Sequence, residues 1–242
     1  MRMNTLIVAL DFASEKRALE LVKTLEGLPA SFKVGLQLFT AAGPSIVRQI
    51  MNSGADVFLD LKFYDIPNTV SQAALEAARL GARMMTFHAL GGEVMLRTAR
   101  ETLEAASAKE GWNVPTMLGV TVLTSMDQAA LASVGIDRPI QSMVCHLAGI
   151  VQAAGLHGIV CSPHEVASLR NSGFSRLAFV TPGIRPQQAK QDDQARAATA
   201  RYAISSGAHH LVVGRPITQA ENPRQVVEQL IREIDEARTE SA

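Results

Sequence analysis

Eight short apolar runs punctuate this chain from end to end: TLIVALDF, SFKVGLQL, DVFLDLKF, MMTFHAL, TMLGVTVL, GIVCS, LAFVTPGI and HLVVGRPI. Between most of them lie longer segments whose apolar residues recur at helical spacing. Ser14 stands as an N-cap before EKRALELVKTLEG, where Ala18, Leu21, Val22 and Leu25 form one face and Gly27 suits the helix end. In the same way Pro44 opens a helix that stops near Gly54, a second runs from Val70 to Leu80 before Gly81, and a third from Arg224 to Ala237. Eight strand–helix units without a Pro/Gly/Ser-rich linker predict a closed (β/α)8 barrel in which residues 1–242 form a single domain. A doubly wound open sheet is the alternative, but it usually carries fewer parallel strands.

Composition narrows the partners. Apolar residues make up 47% of the chain and 23 basic residues balance 23 acidic ones, so a large core is affordable and no basic field invites nucleic acid or an anionic membrane. The expected ligand is therefore small. The opening MRMNTLIVALDF is apolar only briefly before Asp11, unlike a secretory signal, and no run approaches the length of a membrane span. Two cysteines, Cys145 and Cys161, have no paired framework and read as core fillers of a protein from the reducing cytoplasm.

The third run continues as DLKFYDIPNT. Val57, Leu59 and Leu61 alternate with Phe58, Asp60 and Lys62, so the aliphatic side faces the helices while Asp60 and Lys62 share the barrel interior. Both charges fall at the C-terminal end of the strand, the end of such barrels where chemistry takes place. One Asp–Lys pair could be a plug of the barrel. Asp11 closing the first strand, Lys33 opposite Phe32 and Val34 in the second, and Asp65 three residues after Lys62 are more than a plug needs. An ammonium flanked by carboxylates is held protonated, which suits Lys62 to general-acid work and not to a Schiff base.

The last two strands end in TPGIRP and VVGRPI. Gly183 and Gly214 let backbone approach an anion, Arg185 and Arg215 add charged forks, and Pro216 can begin a short helix, so these ends predict a phosphate monoester site. It is not a P-loop, since no glycine-rich run ends in Lys-Ser/Thr. The polar stretch RPQQAKQDDQAR, from Arg185 to Arg196, is either a solvated loop or a lid over the mouth. His88, His146, His157, His164, His209 and His210 show no closely spaced ligand pattern, and most read as ordinary core or surface residues.

With these elements in place, the sequence resembles the orotidine 5′-phosphate decarboxylase family, which makes UMP in pyrimidine synthesis. The likeness runs from Asp11 to Arg215 and rests on D-x-K-x-x-D within DLKFYDIPNT together with VALD, FKVG, TVLTS, TPGIRP and VVGRPI. The resemblance implies Lys62 as proton donor, with Lys33, Asp60 and Asp65 completing an alternating charge array. It implies that Asp11 and Lys33 contact the ribose, that Thr124 contacts the pyrimidine, and that Arg185, Gln194, Gly214 and Arg215 close on the phosphate, Gln194 from the lid. It further implies a homodimer in which Asp65 and Thr69 reach the partner's site, and chemistry without metal or organic cofactor.

Two rival readings have distinct signatures. A related sugar-phosphate barrel would share D-x-K-x-x-D but use magnesium and enolate chemistry, and DIPNT, TVLTS and the Gln194 segment argue against it. A noncatalytic nucleotide sensor would have no use for a protonated lysine beside two acids.

Overall fold

A computed structural model of the chain describes residues 3–185 and 198–240. All eight apolar runs are strands: β1 (Leu6–Ala9), β2 (Ala30–Gly35), β3 (Val57–Phe63), β4 (Met84–His88), β5 (Thr116–Val120), β6 (Gly158–Val160), β7 (Ala178–Thr181) and β8 (His210–Val213). Each pairs in parallel with the next, and β8 pairs with β1 through Leu6↔Leu211 and Val8↔Val213, so the barrel closes and the open-sheet alternative falls.

Strand alternation divides the core in two. Leu6, Val8, Phe32, Val34, Val57 and Leu59 point outward into the layer shared with the helices. Ile7, Phe58, Met84, Leu118, Val180 and Val212 point inward and fill the lower barrel. This interior packing forms an apolar floor beneath the mouth, and Lys33, Asp60 and Lys62 rise from the same inward-facing side above it.

The helices follow the sequence expectations with small shifts. Helix Glu15–Thr24 is capped by Ser14, whose side chain accepts from the Arg17 N–H, and it buries Ala18, Leu21 and Val22. It ends before Gly27, which serves a left-handed turn (φ 83°) three residues further on. Helix Ser45–Asn52 follows Pro44 as expected. The helix expected from Val70 starts at Pro67 instead, because proline at the first helical position has its φ preset and gives up no needed N–H. Asn68 and Thr69 are thereby drawn into its first turn. The final helix extends to Pro223–Glu240. Among the short helices that the sequence does not single out, Leu36–Ala42 continues directly from β2 with Gly35 as its N-cap.

Among the described residues, no helix is long and apolar enough to cross a membrane.

Candidate active site

The mouth of the barrel holds a cavity of about 250 Å³. Phe58, Val120, Val160 and Val212 form its apolar base, and Asp11, Lys33, Asp60, Lys62, Thr124, Arg185, Gly214 and Arg215 stand around it. With Gly183, nine of the residues singled out from the sequence thus converge on one concavity. Gln194 lies outside the described residues, as does most of the stretch following Arg185.

Four charges are strung in alternating sign along one wall. Lys33 Nζ lies 2.9 Å from Asp11 Oδ1 and 3.6 Å from Asp60 Oδ2, and Lys62 Nζ lies 2.8 Å from Asp60 Oδ1. Strand register explains the line-up: Ala9 faces Lys33 and Gly35 faces Asp60, so neighbouring strands deliver their charges to one level. Gly35 has a steric task here, since a Cβ at that position would sit 2.8 Å from Lys33 Nζ. Lys33 is only 8% exposed, which makes its two carboxylate contacts obligatory.

Burial by itself would push the Asp60 carboxyl up. The ammonium groups of Lys33 and Lys62, with hydrogen bonds from Lys62 and Thr86, outweigh it and hold the carboxyl below its ordinary value of 3.8. Asp60 is therefore a fixed negative charge at neutral pH, placed between two cations.

Lys62 does not reach this position by simple alternation. Its φ of 50° makes it the one non-glycine residue with positive φ among those described. The β3–β4 register shifts between Leu59 and Phe63, and the Lys62 N–H donates to Thr86 Oγ1 at 2.9 Å in place of a ladder carbonyl. A left-handed conformation costs a lysine about 1–2 kcal/mol, a cost of the kind that gathers at functional sites.

Thr86 was not singled out from the sequence, where it reads as an ordinary β-former. It is fully buried, and its hydroxyl donates to Asp60 Oδ1 at 2.9 Å while accepting the Lys62 N–H, so one side chain fixes both members of the central pair. Thr86→Val is expected to leave the Lys62 N–H without an acceptor and Asp60 without one donor, lowering stability by about 1–3 kcal/mol and turnover with it. Urea unfolding and a steady-state assay check this, and Thr86→Ser should keep most of both.

His88 lies at the end of β4. Its Nδ1 is buried without a hydrogen-bond partner. Burial, and then the charge of Lys62, push its pKa down, so the imidazole is neutral at physiological pH.

Asp65 and Thr69 do not join the array within the chain. Both are exposed, and Asp65 Oδ1 accepts the Ile66 N–H at 2.6 Å. Among the described residues, Lys62 is ion-paired with Asp60 alone. The chain neighbours of Asp65, Tyr64 and Ile66, are exposed, as are Leu36 after β2 and Leu90 and Val94 after β4, all more than 40%. The Tyr64 ring packs 5.5 Å from that of His88, joining the segments after β3 and β4.

The phosphate-side elements follow β7 and β8. Gly183 adopts φ 81°, and Arg185 N–H donates to Ala198 O while Ala198 N–H donates to Gly183 O, closing a bridge at Ile184↔Ala198. Pro216 lies in the first turn of the short helix Arg215–Thr218, as expected. In a closed barrel of eight strands β3 and β7 are diametrically opposed, so Lys62 and Arg185 stand on facing walls. The arrangement suits an anionic ligand held by one end while its other end meets the charge array. Among the described residues, no group of three or more His, Cys, Asp or Glu side chains is placed to hold a metal ion.

Residues 4–230 match the family described as Orotidine 5′-phosphate decarboxylase / HUMPS. A Syntrophotalea carbinolica protein named orotidine 5′-phosphate decarboxylase is 48% identical over 229 residues, covering 95% of this chain and 94% of its own. One of the same name from Nitrosospira multiformis is 46% identical over 233 residues, covering 96% and 95%. The crystal structure of orotidine 5′-phosphate decarboxylase from Lactobacillus acidophilus superposes with a TM-score of 0.85 at 36% identity, covering 96% of this chain and 99% of that one.

Proposed function

Because the chain belongs to the orotidine 5′-phosphate decarboxylase / HUMPS family, we propose that its reaction runs on the Asp11–Lys33–Asp60–Lys62 array, with Lys62 as proton donor. The chain is a carboxy-lyase that converts orotidine 5′-phosphate to UMP in pyrimidine biosynthesis. The observation that carries the mechanism is the alternating array on a wall facing Arg185.

In the reaction the bond from C6 of the pyrimidine to its carboxylate breaks, CO2 departs, and the electron pair stays on C6 in the ring plane. There the π system cannot delocalise it, so fixed positive charge must stabilise it. Lys62 Nζ supplies that charge and then its proton to C6, and solvent returns the proton to the amine. Asp60 holds Lys62 in place and lies where the substrate carboxylate must sit. Asp11 and Lys33 position the ribose, Thr124 meets the pyrimidine, and Arg185, Gly214 and Arg215 take the phosphate, with Gln194 assigned by the sequence resemblance. The steps use the chain's own charges and draw on no metal or organic cofactor.

The phosphate is remote from the breaking bond, so its binding energy serves to hold the reacting end against the array. Arg215→Ala is expected to lower kcat/KM for orotidine 5′-phosphate strongly while scarcely changing the much slower reaction of the substrate lacking phosphate. Equal losses for both substrates would assign Arg215 to the fold or the chemistry instead of to phosphate.

The working form in this reading is a homodimer in the cytoplasm. The apolar surface of Leu36, Tyr64, Ile66, Leu90 and Val94 supports an interface, since exposed apolar patches mark association sites. Asp65 stands exposed between Tyr64 and Ile66 and does not line its own chain's cavity, which supports its delivery, with Thr69, to the partner's site. Cys145 and Cys161 are both free thiols, in keeping with a reducing compartment.

A further inference from the structure

The opposite end of the barrel carries a second concavity, of about 760 Å³, roughly three times the volume of the catalytic one. The N-terminal face of such barrels ordinarily serves stability alone. Here three arginines from separate elements meet on it: Arg83 before β4, Arg170 from the segment before β7, and Arg238 from the last helix. His209 and His210 at the start of β8 join them, and no carboxylate lines the concavity among the described residues. In a chain whose formal charge is zero, five groups that carry or can carry positive charge on one concave face are a concentration of one sign.

The side chains are held rather than loose. The Arg170 guanidinium lies across Gly207, where a Cβ would come within 2.3 Å of Nη1, yet Arg170 has no hydrogen-bond or ion-pair partner among the described residues. Arg238 donates to Thr5 Oγ1, and Arg83 lies 3.5 Å from Asp56. His209 Nδ1 accepts the Phe179 N–H and His210 Nδ1 meets the Asn4 carbonyl, so each ring is fixed by one nitrogen and keeps Nε2 for another partner. Met3, Met84, Val114 and Ile204 supply an apolar wall beside the cations.

We propose that this concavity is a second ligand site that takes an oligophosphate chain, free or carried on a nucleoside. Its volume falls in the range of small-molecule sites, about 300–1,000 Å³. Guanidinium forks match phosphate oxygens, and a chain of two or three phosphates presents more of them to the arginines of one concavity than a single phosphate does. An apolar wall beside the cations suits a nucleobase. Polymeric nucleic acid fits less well, because the basic groups are confined to one bowl and form no stripe.

Isothermal titration of the whole chain, with the catalytic site saturated by UMP, tests this with tripolyphosphate, ATP and orthophosphate as probes. The expected result is one tripolyphosphate or ATP per chain, bound at least about tenfold more tightly than orthophosphate and weakened by added salt. Equal affinities for ATP and tripolyphosphate would assign recognition to the phosphate chain, and tighter binding of ATP would add the apolar wall. Arg170→Gln, which breaks no bond within the described chain, should weaken binding about tenfold, the effect of one charge-assisted pair. Arg170→Gln/Arg238→Gln should abolish it, with decarboxylation unchanged in both variants. Bound ligand should also raise the NMR-detected pKa of His209 and His210, which face Arg83, Arg170 and Arg238. No binding to the UMP-saturated chain, equal affinity in wild type and the double variant, or preference for an RNA oligomer over tripolyphosphate would each overturn the proposal.

Discussion

Lys62→Ala lowers turnover by at least about a thousandfold while UMP still binds, if Lys62 is both the charge that stabilises the developing carbanion and the acid that quenches it. One ammonium at about 4 Å, in an effective dielectric near 20, contributes on the order of 4 kcal/mol, which is about a thousandfold in rate. Loss of the general acid compounds this, as such groups contribute about 10²–10⁴-fold. UMP binding survives because Arg185 and Arg215 follow β7 and β8, whereas Lys62 belongs to β3. Asp60 keeps Lys33 and Thr86 as partners, so the barrel should remain folded. Single-turnover decarboxylation, UMP titration and a thermal melt on one preparation decide the matter. Substantial turnover by a folded Lys62→Ala chain would sink the assignment.

Subunit mixing gives the other large effect. Lys62→Ala and Asp65→Ala chains should each form inactive homodimers. In a mixed dimer the Asp65→Ala subunit keeps its own Lys62 and receives an intact Asp65 from its partner, so one of the two sites is whole. Random exchange at equal amounts makes half the dimers mixed, and activity should recover to about a quarter of wild type per site. If Asp65 served its own subunit, every site would carry one lesion and mixing would restore nothing. Failure to recover after exchange has been verified would reject the shared site and leave the decarboxylase itself untouched.

The strands were legible in the sequence because each buries two faces, so apolar residues persist through them and a charge on an inward position stands out. Asp60, Lys62, Lys33 and Asp11 were found by that contrast, and the glycine–arginine ends of β7 and β8 by their turn chemistry. Thr86 offered no contrast, since a threonine in a strand is what β-propensity favours. Only the coordinates show its hydroxyl between the Asp60 carboxylate and the Lys62 N–H. The bulge at Lys62 was hidden for a similar reason: strict alternation gives the same facing for Asp60 and Lys62 without it. Spacing alone did not settle Asp65: three residues after Lys62 suggests nearness, whereas in the chain its carboxylate is exposed and accepts the Ile66 N–H. Gly35 belonged to a recognisable motif, but its purpose, leaving room for Lys33 Nζ, depends on a distance that no sequence records.

The left-handed backbone of Lys62 also bears on the history of the chain. The bulge itself favours glycine or asparagine, residues that occupy such a conformation at little cost. In a lineage released from the reaction, nothing would offset the strain of lysine there, and drift would replace it while the barrel persisted. If Lys62 is the proton donor proposed above, a lysine kept at this φ marks a barrel maintained for its chemistry, and a descendant that keeps the fold but carries glycine at 62 has abandoned it.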